Sequence, residues 1–225
     1  MQNNNISAVT KSSDQSFEKL YLDRDFKGAV DYLLKNKQLF NSGTFHFNLG
    51  TTYTKLGDHP AARYHLEKSI QEGYINSASI NNLNFVKSKL EVDDLTTSSS
   101  LIDQSLNLAT YFPMTAYTMA SLLMFLIFVV LLRFKKLESR IKQALLICCV
   151  FAPLLFYFGV ISHLHPAIAF KDIPLQEGPS KIFAEKGKVK AGSKIIVGDF
   201  KDGWFFVKHP ESLIGWVTKE QIGLY

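Results

Sequence analysis

The chain has 225 residues, 47% of them hydrophobic, and a formal charge of +5 at pH 7. Most of the positive excess lies between Arg133 and Gln143, which hold five Lys/Arg against one Glu, so no folded part carries the basic face that nucleic-acid binding needs. The two cysteines, Cys148 and Cys149, are adjacent in an apolar run, where helical neighbours point about 100° apart and do not bridge, which excludes a disulfide framework.

Residues 1–15 are polar and are expected to form a disordered tail. Their start, MQNNNISAVT, has neither a basic n-region nor an apolar h-region and is expected not to be a signal peptide. From Phe17 the apolar residues fall three and four apart: Phe17, Leu20 and Tyr21, then Phe26, Ala29, Val30, Leu33 and Leu34. This spacing predicts a helix pair, with Asp25 capping the second helix.

A clearer unit follows from Gly43 to Asn76. Phe45, Leu49, Tyr53 and Leu56 form one stripe, and Gly50 admits a close helix neighbour. Gly57 is suited to a left-handed helix end, Asp58 to the next cap and Pro60 to the first turn. Counted from Gly43, residues Leu49, Gly50, Tyr53, Gly57, Ala62 and Leu66 occupy positions 7, 8, 11, 15, 20 and 24 of a 34-residue unit. That spacing resembles the tetratricopeptide (TPR) repeat, with His46 at the position of its usual Trp and Tyr74 near the place of its Pro. Phe26 and Ala29 match a shorter preceding unit, and Ala78 to Leu90 reads as the opening helix of a third. A TPR-like helical repeat domain, an α-solenoid, is therefore expected over residues 16–92. The resemblance implies a concave face carrying Thr44, Asn48, Thr51 and Lys55. There the Asn48 amide would bond the backbone of an extended partner segment through both its donor and its acceptor.

Residues 93–112 are acidic, then rich in Ser and Thr, and read as a linker containing a short amphipathic piece. Two apolar segments follow, 113–132 and 144–162, each about long enough to cross a hydrocarbon core of roughly 30 Å. Neither shows the polar face of a soluble core helix, and Pro153 is tolerated where neighbours satisfy the freed backbone. The connecting loop, 133–143, contains Arg133, Lys135, Lys136, Arg140 and Lys142, whereas the outer flanks are almost free of cations. The positive-inside rule then predicts a multi-pass protein of a bacterial inner membrane, with the loop cytoplasmic and both termini outside. The alternative orientation would make the repeat domain a cytoplasmic adaptor.

Residues 163–176, with Pro166 and Pro174, read as a second linker. Beyond them the period switches to two, with strands expected at 194–197, 203–207 and 213–217 and a tight turn at Lys201-Asp202-Gly203. The segments Gly178-Pro179-Ser180, Asp202-Gly203-Trp204 and Gly215-Trp216-Val217 are similar to those of bacterial SH3-like domains, which implies a small closed β-barrel over 177–225. In it Trp204 and Trp216 either fill the core or form a ligand platform for cell-wall peptides.

No catalytic constellation is assembled. There is no G-x-S-x-G, Walker loop or nucleophilic cysteine outside the apolar segments, and His163-x-His165 lacks further ligands nearby in sequence. The expected class is a non-enzymatic scaffold without metal or cofactor. The order of repeat, two spans and SH3-like terminus resembles the E-protein family of the bacterial aerotolerance (Bat) operon, and the segment Asn82 to Leu90 is similar to that family's stretch after its repeat. This implies protein partners among the other products of such an operon, in an aerotolerance or envelope-stress assembly.

Overall fold

The computed structural model describes residues 16–134 and 139–225. The tail expected over 1–15 lies outside the described residues, as do Lys135 and Lys136.

The N-terminal part is helical. A helix over 16–22 (α1) precedes α2 (Phe26–Lys35), α3 (Ser42–Leu56), α4 (His59–Gln71) and α5 (Ser77–Lys89). Short polar side chains start these helices: the Asp25, Asn41, Asp58 and Asn76 carboxylate or amide oxygens accept from the backbone N–H three residues on, at 2.8–3.1 Å. Gly57 closes α3 at φ 79°, the left-handed conformation expected of it. The helices pack side by side around Leu33, Phe45 and Leu49 on one side of α3 and around Ala62, Leu66, Ile70, Leu83 and Val86 on the other.

The two apolar segments form α7 (Met114–Arg133) and α8 (Arg140–Gly159), which pack against each other, with Pro153 inside α8. Both are long and apolar enough to cross a membrane. Only 6% and 11% of their most apolar windows are buried, where the core helix of a soluble protein would be mostly covered. Tyr117 of α7 packs its ring on Tyr157 of α8, with ring centroids 5.2 Å apart.

The C-terminal part is a seven-stranded antiparallel sheet: β1 (His165–Ala169), β2 (Ile173–Gln176), β3 (Glu185–Val189), β4 (Lys194–Lys201), β5 (Trp204–His209), β6 (Gly215–Thr218) and β7 (Ile222–Leu224), in the order β3-β2-β6-β5-β4-β1-β7. The β4–β5 turn has the expected position, with Asp202 at φ 49° and Gly203 at φ 85°. Two expectations are corrected. The sheet is open rather than a closed barrel, because its edge strands β3 and β7 do not pair with each other. Edge β3 instead carries exposed Glu185, Lys186 and Lys188, the charge pattern that discourages further pairing. The segment 163–176 is also no linker, since it supplies β1 and β2. Ala167, Ala169, Ile173 and Leu175 alternate into the sheet core, and both prolines are accommodated within antiparallel pairs.

Residues 93–112 are likewise fastened to the folded body rather than free. Asp94 and Leu95 are fully buried, the Leu95 N–H donates to the Lys194 carbonyl at 3.1 Å, and residues Leu101–Tyr111 form α6.

Candidate functional site

Thr44, Asn48, Thr51 and Lys55 recur at helical spacing along α3 and form one polar stripe. Thr44 and Asn48 are half-buried and Lys55 is exposed. Asn82 of α5 donates to the Thr51 hydroxyl at 3.1 Å, so the stripe continues onto α5 and Thr51 contributes to helix packing. The Asn48 carbonyl accepts from Thr52, and its side-chain amide makes no hydrogen bond among the described residues. The stripe is thus a row of hydrogen-bonding side chains along α3, with Thr51 already engaged by Asn82.

The strongest electrostatic feature lies elsewhere, where α4 meets the sheet. The Arg63 guanidinium donates to Asp94 at 2.6 Å, to Glu67 at 3.2 Å and to the Gly192 carbonyl at 2.8 Å. The Lys194 ammonium pairs with the other Glu67 oxygen at 2.8 Å, to which the Tyr225 hydroxyl also donates at 2.6 Å. Asp94 is further held by the Lys194 N–H and by the Thr96 N–H and hydroxyl. All four charged side chains are almost wholly buried. Burial alone would push the Glu67 carboxyl up, but Lys194 and Arg63 bring it down to about 2. Burial and the neighbouring Glu67 carboxylate raise the Tyr225 hydroxyl well above the usual tyrosine range. Next to this cluster, Lys87 and Tyr111 border a cavity of about 310 Å³ that Glu67 and Lys194 also line. Burial lowers the Lys87 ammonium from its ordinary value, and it has no ion-pair partner among the described residues. Sequence reasoning missed this cluster. Its one local signal was the Arg63/Glu67 pair at i, i+4 beside the apolar Ala62, Leu66 and Ile70.

Three smaller constellations bear on chemistry. The Nδ1 atoms of His46 and His65 lie 2.8 Å apart, which requires one proton between them. Burial, then nearby positive charge, lowers His46 to about 4 and His65 to about 3. Ser98 donates to Asp103 at 2.6 Å and Asp103 meets His209 Nδ1 at 2.8 Å. The carboxylate stands between hydroxyl and imidazole, an order that fastens α6 to the sheet and does not let the ring deprotonate the serine. His163 and His165 are exposed, and no group of three or more potential metal ligands occurs among the described residues.

Trp204 and Trp216 lie outside the sheet core, which takes Val207, Val217 and the neighbouring Phe205 instead. Trp204 is buried on the opposite face, while Trp216 is half-buried and packs against Phe206 at a ring distance of 5.4 Å. Of the loop cations, Arg133, Arg140 and Lys142 are exposed at the end of the helical hairpin remote from the sheet. Comparison with protein-family models, curated proteins and solved structures finds no match.

Proposed function

We propose that this chain is a non-enzymatic scaffold, anchored by α7 and α8 in a bacterial inner membrane, which holds protein partners against the bilayer. The observation that carries this reading is the pair of all-round apolar, almost uncovered helices attached to a body whose α3 presents the Thr44, Asn48, Thr51, Lys55 stripe. Apolar surface of this extent is stable in lipid and not in water. Anchoring restricts a partner to the membrane surface and raises its effective concentration at a stripe of modest intrinsic affinity. The repeat-like spacing of α3 and α4 supports a TPR-type groove for an extended segment. The resemblance to the aerotolerance-operon E proteins points to partners from such an operon, including von Willebrand A-type membrane proteins. The cationic loop at 133–143 favours the orientation with the folded body outside the cytoplasm.

Co-purification after mild detergent extraction tests the scaffold reading. Wild type is expected to retain protein partners, and Asn48→Ala to weaken the identified partner by about tenfold, the loss of one or two good hydrogen bonds. Unchanged affinity in Asn48→Ala overturns the α3 stripe as the binding site. Phosphatase fusions at positions 5, 138 and 225 are expected to be active only at the two termini, whereas the reverse pattern makes the protein a cytoplasmic adaptor.

A second reading rests on the half-exposed Trp216 beside Phe206, an aromatic surface suited to a cell-wall peptide or sugar ring. Retention on purified peptidoglycan, lost in Trp216→Ala, supports it. Equal behaviour of the two proteins removes it.

A further inference from the structure

Helix α6 buries polar side chains and exposes apolar ones, with half-buried Leu106 also turned toward the body and exposed Gln104 bordering the outer flank. The side facing the protein carries Asp103 and Thr110, 1% and 2% exposed, with Asp103 held by Ser98 and His209. The opposite side carries Leu101, Ser105, Leu108 and then Phe112 at helical spacing, flanked by Ile102. Leu101, Ile102, Leu108 and Phe112 are 79%, 58%, 62% and 42% exposed. A helix on a water-facing surface has the opposite pattern, polar outward and apolar inward. Ser105 scarcely interrupts the apolar flank, because its hydroxyl donates to the Leu101 carbonyl at 2.7 Å.

Both ends of α6 are fastened near the roots of the candidate spans. At its C-terminal end only Phe112 and Pro113 separate it from α7, and the Tyr117 hydroxyl, one turn into α7, donates to the Ala109 carbonyl at 2.8 Å. That bond joins residues eight apart, beyond a tyrosine's reach along one straight helix, so the chain bends at Phe112-Pro113. At the N-terminal end Asp103 holds His209, which pairs with Ile196, which pairs with Pro166, only three residues past the end of the second apolar stretch at His163.

We propose that α6 is an interfacial helix lying along the bilayer surface, with Leu101, Ile102, Leu108 and Phe112 directed into the boundary between headgroups and acyl chains. The inference rests on α7 and α8 spanning the membrane. The occupant is lipid because the flank is continuous with the first span through Phe112 and Met114. The helix contains no Lys or Arg, so the contact is apolar and does not require anionic lipid. With the Asp103–His209 contact and the Tyr117 bond, this would hold the folded body close against the membrane.

The test uses the full chain in zwitterionic phosphatidylcholine vesicles, with Cys148→Ala and Cys149→Ala as background. A single environment-sensitive fluorophore is attached at Ser105→Cys, at Leu126→Cys in the middle of α7, or at Ser88→Cys on the exposed side of α5. Lipids brominated close to the headgroup are expected to quench position 105 by about twofold or more, and more than lipids brominated deep in the chain, the depth order of an interfacial helix. Position 126 should show the reverse depth order, and position 88 no quenching. If 126 is quenched by lipid while 105 responds only to an aqueous quencher, the inference is overturned and the spans stand. If 105 is shielded from both quenchers, protein rather than lipid covers α6, and the inference is again overturned. If 126 is not quenched by lipid, the membrane reading fails and this inference fails with it.

Discussion

His46 and His65 show how one proton can govern a local fold. At 2.8 Å the two Nδ1 atoms share a single hydrogen, one donating and one accepting. Tyr53 stacks on the far side of His65 with ring planes 2° apart, so neither imidazole can swing away without unstacking that face of α3 and α4. A second proton would set two N–H groups against each other. Burial therefore lowers the pair to about 4 and about 3, against 6.5 for a free imidazole. Between those values the unfolded chain binds more protons than the folded one, so stability is complete above about pH 6.5 and falls as pH drops through 4 and 3. Glu67 acts in the same direction lower down: its carboxyl, at about 2 when folded and 4.5 when free, withdraws its contribution below about pH 4.5. Thermal unfolding of the detergent-solubilised protein should therefore show a Tm that declines between pH 7 and 5, before any carboxylate is involved. His65→Phe, which keeps a ring for Tyr53 to stack on, should flatten that decline. An unchanged slope would mean that the shared proton is not what pH titrates.

At the scale of elements, legibility followed how local the determining signal is. The Gly57 stop, the Asp25 and Asp58 caps, the Asp202-Gly203 turn and the two long apolar helices each depend on residues a few positions apart, and each was readable. Strands β1 and β2 were not, because Pro166 and Pro174 read as breakers while the partners that accommodate them, Ile196 and Lys188, lie 30 and 14 positions later in the chain. The face of β5 was also hidden, since Trp204, Phe205, Phe206 and Val207 are all apolar and a period of two has no contrast to act on. Gly50 was readable as a close approach and gives a direct test. A Cβ there would lie 2.7 Å from the Leu66 side chain and 3.1 Å from the Leu66 backbone nitrogen. Gly50→Ala gains about 1 kcal/mol of helix propensity but forces α4 outward, and overpacking of this kind costs about 1–3 kcal/mol. Because Leu66 is fully buried and its backbone cannot yield without moving the whole helix, packing should win. Urea denaturation is expected to show a net loss of up to about 2 kcal/mol, and a gain would mean that α3 and α4 are less tightly apposed.

At the scale of the whole molecule, the helical part and the sheet are one body, because the charges of each are satisfied by the other. Arg63 and Glu67 come from α4, Asp94 from the segment before α6, Lys194 from the start of β4 and Tyr225 from beyond β7. Apart from the Arg63/Glu67 pair within α4, no local pattern announces a cluster spread over about 160 positions, which is why the sequence suggested two modules joined by linkers. Its energetic weight lies in what breaking it would leave behind. With Arg63 removed, Asp94 stays buried and loses its guanidinium, a situation that typically costs about 3–5 kcal/mol. Exposed pairs such as Lys188–Asp172 are screened by water and should matter little. Trp204 and Trp216, the only tryptophans, both lie in the sheet, so their fluorescence reports the sheet alone, while amide exchange in α3 and α4 reports the helices. In Arg63→Ala both signals should move to lower denaturant together, although the substitution is in a helix, and Lys188→Ala should leave both in place. A tryptophan transition that stays put while α3 and α4 exchange faster would show that the parts unfold separately. A partner bound along α3 would then have no way to be felt at the sheet. If the two signals move together, a partner that stabilises α3 and α4 also stabilises the sheet, through the Arg63 and Lys194 contacts that join them.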